Sequence, residues 1–293
     1  MFKGSLVALI TPMREDGSVD EAAYASFVDW QIREGTHGVV PVGTTGESPT
    51  LSHAEHKRVV EIAVEASKGR VPVIAGAGSN STEEAIDLAK HAKEARADAI
   101  LVVTPFYSAP PQRGAVSYFA KLGVRTRRPF LIYHIPGRAG FTLAVDTLAA
   151  IKDEVPHFAG LKNTDTDVGF VTGALARLGR DFRIFAGLEL PTLPMLGIGG
   201  CGMMITASNV APHLVSQLYE TFAKGDIDGA IALNLKLYPL FRGVALESSP
   251  IPVKYMLKRL GVLKTNEHRS PLVPASPEVE KQLDKVLADM SLI

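Results

Sequence analysis

The chain has 293 residues, 46 % of them apolar and 21 % charged, with a mean hydropathy of +0.13. That composition excludes disorder, and the length suits a single (β/α)8 barrel, which needs roughly 250 residues. The 31 basic and 31 acidic residues balance, so no global field draws in a nucleic-acid backbone or an anionic membrane, and one cysteine, Cys201, excludes a disulfide framework or a multi-cysteine metal site.

The opening run up to Pro12 is far shorter than the ~20 residues of a membrane-spanning helix. It has no small-residue cleavage site behind it. It reads as a buried strand, Leu6–Thr11, closed by Thr11-Pro12. Further strand candidates follow at Gly38–Val42, Pro72–Ala75, Ala99–Val103, Phe130–Ile135, Phe158–Leu161, Arg183–Ala186 and Gly202–Ile205. Their apolar runs are continuous, as strands covered on both faces require. Amphipathic segments lie between them. Ser52–Ser67 opens with Ser52 and Glu55 as a capping box, and Thr82–Ala95 has Glu83 and Glu84 in its first turn, where the helix dipole favours them. This alternation predicts an α/β fold, a (β/α)8 TIM barrel. The competing doubly wound sheet finds only Gly76-Ala-Gly78-Ser-Asn80, without the third glycine or the acidic residue of a dinucleotide loop. After about Gly225 the pattern is helical only, at Ile227–Phe241, Pro252–Leu260 and Pro277–Ala288. The expected organisation is a catalytic barrel over 1–225 and a C-terminal helical extension over 226–293.

Barrel chemistry gathers at the carboxyl ends of the strands. Lys162 closes the apolar run Phe158-Ala-Gly-Leu161 there. A lysine taken out of water is pushed toward its neutral amine, which attacks ketones to form imines; the plainer alternative is a snorkelling or ion-paired lysine. Three neighbours favour the imine. Gly43-Thr44-Thr45-Gly46 offers hydroxyls and backbone N–H groups for a carboxylate. Tyr133 and Tyr107 are phenols suited to proton transfer. Arg138 is a bidentate fork for a second anion. Taken singly, the same residues read as a tight turn, rim packing and a surface ion pair.

Gly43-Thr-Thr-Gly-Glu47, Tyr133-x-x-Pro136-x-Arg138 and Gly160-Leu-Lys162 resemble the signature of the dihydrodipicolinate synthase/N-acetylneuraminate lyase family of Schiff-base aldolases. The resemblance runs from Gly4-Ser-x-Val-Ala to Ile251-Pro-Val-Lys254. It implies a (β/α)8 enzyme, a homotetramer built of tight dimers, with pyruvate held as an imine on Lys162 and no cofactor or metal, while the single cysteine fits a reducing, cytoplasmic setting. By the same resemblance Tyr133, Thr44 and the neighbouring subunit's Tyr107 form a proton relay. Thr45 holds the pyruvate carboxylate, and Gly187 and Met204 line the pocket.

Arg138 resembles the arginine with which synthases of lysine and diaminopimelate biosynthesis hold aspartate semialdehyde. Ser48, His53, His56, Asn80 and Glu84 match a lysine feedback pocket. Without a third ligand, His53-x-x-His56 is not read as a metal site. Departures fall at His134 (commonly Asn), Ala139 (Thr), Asn163-Thr-Asp165 (Glu-Ala-Thr), Leu188-Glu189, Phe106 and Pro49. The expected reaction is condensation of pyruvate with L-aspartate 4-semialdehyde. The alternatives are another pyruvate-type lyase acting on a different 2-oxo acid, or a barrel turned binding protein, against which intact Lys162, Tyr133 and Thr44 argue.

Overall fold

The computed structural model describes residues 2–293. Among them lie the strands β1 (Gly4–Ala8), β2 (Gly38–Val40), β3 (Ile74–Gly76), β4 (Ala99–Val103), β5 (Phe130–His134), β6 (Phe158–Asn163), β7 (Arg183–Ala186) and β8 (Gly202–Ile205). They make one eight-stranded sheet in the order β2-β1-β8-β7-β6-β5-β4-β3, with parallel pairings. Past β2, the Val39 N–H donates to the Pro72 carbonyl at 3.0 Å, just before β3. With helices between the strands, this is the expected (β/α)8 barrel. The helices are α1 (Glu21–Arg33), α2 (His53–Ser67), α3 (Thr82–Glu94), α4 (Gln112–Thr126), the single turn α5 (Pro136–Ala139), α6 (Val145–Glu154), α7 (Val168–Leu178), α8 (Thr192–Gly197), α9 (Pro212–Ala223), α10 (Ile227–Gly243), α11 (Ile251–Arg259) and α12 (Pro277–Asp289). No described helix is long and apolar enough to cross a membrane.

Strand ends differ from expectation for local reasons. Leu9 and Ile10 stay buried beyond β1, but Ile10 N–H donates to the Asn209 side chain at 3.1 Å instead of a strand. β2 stops before Val42, whose φ of +50° no strand accommodates. β3 begins after Pro72, which has no N–H to donate. β6 runs two residues further than expected, because Lys162 and Asn163 pair on both sides, with Tyr133 and His134 of β5 and with Phe185 and Ala186 of β7. Lys162 therefore lies within a strand.

The chain divides into two compact units, one built on Val73–Met204, the other on Gly4–Pro72 with Ile205–Ile293. In the first, a run of aromatic rings sits beneath the strands. Phe119 stacks on Phe130 (6.2 Å between centroids), Phe130 on Phe158 (5.0 Å), and Phe182 meets Phe158 edge-on (5.0 Å). Each such pair adds about 0.5–1.5 kcal/mol beyond burial, so β5 and β6 stand on a rigid base. In the second unit, Tyr24, Phe27 and Val28 of α1 and Val59, Val60 and Ile62 of α2 are buried. Asn209 closes β1 there, its amide donating to the Ala8 carbonyl at 2.8 Å while its own carbonyl accepts from Gln31 at 2.8 Å. Ser52 and Glu55 form the expected capping box of α2, and Ser81 caps α3.

Candidate active site

Within Val73–Met204, Tyr133 and Lys162 are directly opposed in the β5–β6 register, as are His134 and Asn163 one residue on. Successive strand residues face opposite sides, so Tyr133 and Lys162 share one face and His134 and Asn163 the other. The Lys162 side is nearly closed to solvent: Lys162 is 5 % exposed and Tyr133 8 %. The Lys162 Nζ stands 4.2 Å from the centre of the Tyr133 ring, within reach of the ring's negative face. Gly187, just past β7, donates its N–H to the Asn163 carbonyl at 2.7 Å. A Cβ there would lie 2.7 Å from Thr164 Cγ2 and 3.1 Å from Lys162 Cγ, so only glycine leaves the lysine stem its room. Met204 of β8 is fully buried. Lys162, Tyr133 and Gly187 thus lie close together. Arg138, on α5, is exposed, and Tyr107 is 95 % exposed with φ +67°.

In the second unit, the Gly43–Gly46 loop is a tight turn. Gly46 and Ser48 donate to the Gly43 carbonyl at 3.1 and 3.3 Å, and Glu47 donates to Thr44 at 3.0 Å. Two non-glycine residues in the left-handed region, Val42 (φ +50°) and Glu47 (φ +56°), bracket it. For a β-branched residue such as Val42 this is genuine strain, of order 1–3 kcal/mol, sustained only where surroundings over-determine the backbone. Thr45 is buried, its hydroxyl 3.3 Å from that of Ser249, and Thr44 is half-buried.

What holds the turn is Glu47. Its carboxylate accepts from Lys254 Nζ, and both side chains are out of solvent. The other carboxylate oxygen accepts the Arg269 N–H at 3.2 Å, and the enclosed His268 ring stands 3.6 Å away. Burial alone would raise the Glu47 carboxyl, but basic His268 and Lys254 beside it hold it below its ordinary value. Lys254 also donates to the Glu267 carbonyl at 2.7 Å. Sequence reasoning placed Glu47 and Lys254 in matching motifs without a role for either. Their partnership spans 207 positions, and no spacing rule reaches that far.

Of the residues matched to a feedback pocket, Ser48 is half-buried in a turn of 3-10 helix, His53 opens α2 exposed, and His56 is buried one turn on. In the other unit, Asn80 is exposed before α3, and Glu84 accepts the Ser79 hydroxyl.

The whole-chain comparison now decides the family. The model of the dihydrodipicolinate synthetase family matches residues 1–290. The chain belongs to that family. It is 42 % identical to the 4-hydroxy-tetrahydrodipicolinate synthase of Oleidesulfovibrio alaskensis, over 100 % of this chain and 99 % of the relative. It superposes on the crystal structure of dihydrodipicolinate synthase from Aquifex aeolicus with a TM-score of 0.97 at 39 % identity, covering 99 % of each chain. The chloride-inhibited dihydrodipicolinate synthase from Acinetobacter baumannii, complexed with pyruvate, matches with a TM-score of 0.96 at 35 % identity over 100 % of both chains. On the face of β5 and β6 opposite Lys162, His134 and Asn163 form a buried pair, Nδ1 to Oδ1 at 2.8 Å.

Proposed function

We infer that the protein condenses pyruvate with L-aspartate 4-semialdehyde through a Schiff base on Lys162, as a 4-hydroxy-tetrahydrodipicolinate synthase of lysine and diaminopimelate biosynthesis. One observation carries the reading: an enclosed lysine amine against a tyrosine ring on the neighbouring strand, with glycine beside its stem. The Nζ attacks the pyruvate ketone carbon and the carbinolamine loses water. The iminium withdraws electrons, and the methyl group gives up a proton to form an enamine. That carbon then bonds the aldehyde carbon, whose oxygen takes up a proton. The substrate's own amine displaces Lys162 and closes the ring, so pyruvate and semialdehyde leave as one product and one water. Tyr133, Thr44 and a neighbouring subunit's Tyr107 move the protons in this reading. Thr45 receives the pyruvate carboxylate, Gly187 and Met204 line the pocket, and Arg138 receives the second carboxylate.

The catalytic part is the barrel of 1–225, and 226–293 is its helical extension. The near-complete exposure of Tyr107 supports a neighbouring copy as its cover, hence tight dimers paired into a homotetramer. A free cysteine and no disulfide fit the cytoplasm. Lysine is the proposed occupant of a regulatory site formed by Ser48, His53, His56, Asn80 and Glu84.

Borohydride reduction in the presence of pyruvate, followed by peptide mass spectrometry, tests the chemistry. The expected result is a stable adduct on Lys162 in the wild type and none in Lys162→Ala, with turnover reduced by several orders of magnitude (about 10³-fold or more). An unmodified Lys162 would remove the proposal. Turnover of semialdehyde, set against other 2-oxo acids, decides between the synthase and another lyase of the same chemistry.

A further inference from the structure

The face of β5 and β6 turned away from Lys162 carries a polar arrangement that the condensation does not use. His134 is fully buried there, with the Phe170 ring of α7 at 4.8 Å. Its Nε2 accepts the Leu143 N–H at 3.2 Å, and its Nδ1 meets Asn163 Oδ1 at 2.8 Å. The Asn163 amide nitrogen donates to the Asp165 carbonyl at 2.9 Å, which fixes the amide orientation. Oδ1 is therefore the acceptor for His134, and the ring is the neutral Nδ1–H tautomer.

The loop that His134 grips is gripped from the other side as well. Gln112, opening α4, donates to the Thr142 carbonyl at 2.8 Å and accepts from the Ala144 N–H at 3.1 Å and the Thr147 hydroxyl at 2.6 Å. Three consecutive residues, 142 to 144, are thus bonded by side chains of β5 and α4. The loop continues directly from α5, which carries Arg138 and ends at Gly140 in the left-handed conformation. Helix α4 itself follows the segment bearing Tyr107. The His134 half of the network, its bonds to Asn163 and Leu143, is buried with both ring nitrogens satisfied, the condition under which such bonds rigidify what they touch, while the Gln112 half lies at the surface.

We propose that His134 is a positioning residue: as its neutral Nδ1–H tautomer it joins Asn163 to the Leu143 amide, and so holds the 140–144 loop, and Arg138 before it, in the geometry that receives the second substrate. The proposal rests on Arg138 as the carboxylate-binding group of the proposed function. It predicts a sign. The proton gained in acid goes to Nε2, which then confronts the Leu143 N–H donor to donor, and the loop is released. Burial holds the imidazole below its ordinary value, opposed by the Asn163 bond and by Asp165, the charged group that acts on the ring among the described residues. The neutral form therefore persists at neutral pH and the grip fails only on the acid side.

Three variants of the full-length protein test this: the wild type, His134→Phe, which keeps a ring but loses both bonds, and His134→Gln, whose amide can accept from Leu143 and donate to Asn163 without titrating. In His134→Phe the KM for semialdehyde should rise about tenfold, the scale of the one lost hydrogen bond that reaches the loop, at Leu143, while the KM for pyruvate and borohydride trapping stay within about twofold. In the wild type the semialdehyde KM should rise as pH falls below neutrality, with the pyruvate KM flat. His134→Gln should restore the KM and abolish that rise. Hydrogen exchange at the Leu143 amide should be slow in the wild type and in His134→Gln, and fast in His134→Phe. Unchanged exchange in His134→Phe, or an equal rise in both KM values, overturns the proposal. So does an acid rise that survives in His134→Gln, which is also the deciding arm if His134→Phe does not fold. A wild type that turns over no semialdehyde sinks the substrate reading instead, and the Leu143 exchange then decides the His134 bracket by itself.

Discussion

Burying an ammonium costs solvation, and at Lys162 the Tyr133 ring returns part of it, about 0.5–2 kcal/mol for a cation over an aromatic face. Arg138 is the opposite kind of residue, an exposed fork whose value lies in bidentate recognition. Arg138→Ala should raise the semialdehyde KM by about tenfold to a hundredfold, or 1.4–2.8 kcal/mol, while initial-rate kinetics with varied pyruvate show little change. Equal losses for both substrates would refute its role. Lys254 belongs to a third class. Removing it strands the Glu47 carboxylate without water. Lys254→Met should cost about 3–5 kcal/mol in denaturant unfolding. Glu47→Gln combined with Lys254→Met should recover part of that loss, since no unpaired charge is left inside.

At the scale of elements, two devices place the chemistry. The first is the β5–β6 register, which brings Tyr133 and Lys162 side by side and turns His134 and Asn163 to the far face. A one-residue slip would exchange the two pairs, and the stacked rings of Phe130 and Phe158 beneath resist it. The second is the start of α2. Ser52 and Glu55 satisfy each other's backbone N–H groups, and Glu55 also accepts from Arg269 at 2.9 Å. The helix end is thereby tied to the segment that supplies His268 and the Arg269 N–H to Glu47. Ser52→Ala should cost about 1 kcal/mol in thermal or urea unfolding. A value near zero would mean that the Arg269 contact alone holds the helix start.

Across the whole molecule, the titrating groups divide the acid response into two ranges. His134 is held neutral by burial below its ordinary 6.5, so the unfolded chain takes up its proton first. Its contribution is complete above about pH 6.5 and lost as pH falls through the lower folded value. Glu47 and Glu55 are depressed carboxylates. Arg269 holds Glu55 at about 2 against an ordinary 4.5, opposed by burial. Their contribution is present above about pH 4.5 and lost as pH falls toward 2. Urea midpoints measured from pH 8 to pH 3 should therefore decline in two stages. His157 is likewise held below its ordinary value by burial, so His134→Gln should weaken the upper stage, and Glu55→Gln should weaken the lower one.

The strands, their order of occurrence and most helix starts were legible in the chain because they rest on local physics: continuous apolar runs, capping residues and prolines that cannot donate. The lysine was legible too, since an ionisable group closing an apolar run is conspicuous by its cost. Beyond that, local rules gave way. No periodicity separates Tyr133, facing the amine, from His134, facing the helices, until pairing with β6 settles which face is which. Nothing near Glu47 announces Lys254, and Gln112 looks like any polar residue at the start of a helix. Side-chain type is set by the chain alone, whereas the partner of a buried charge or amide is set by closure of distant segments, where each group takes whichever complement the fold brings within hydrogen-bond reach.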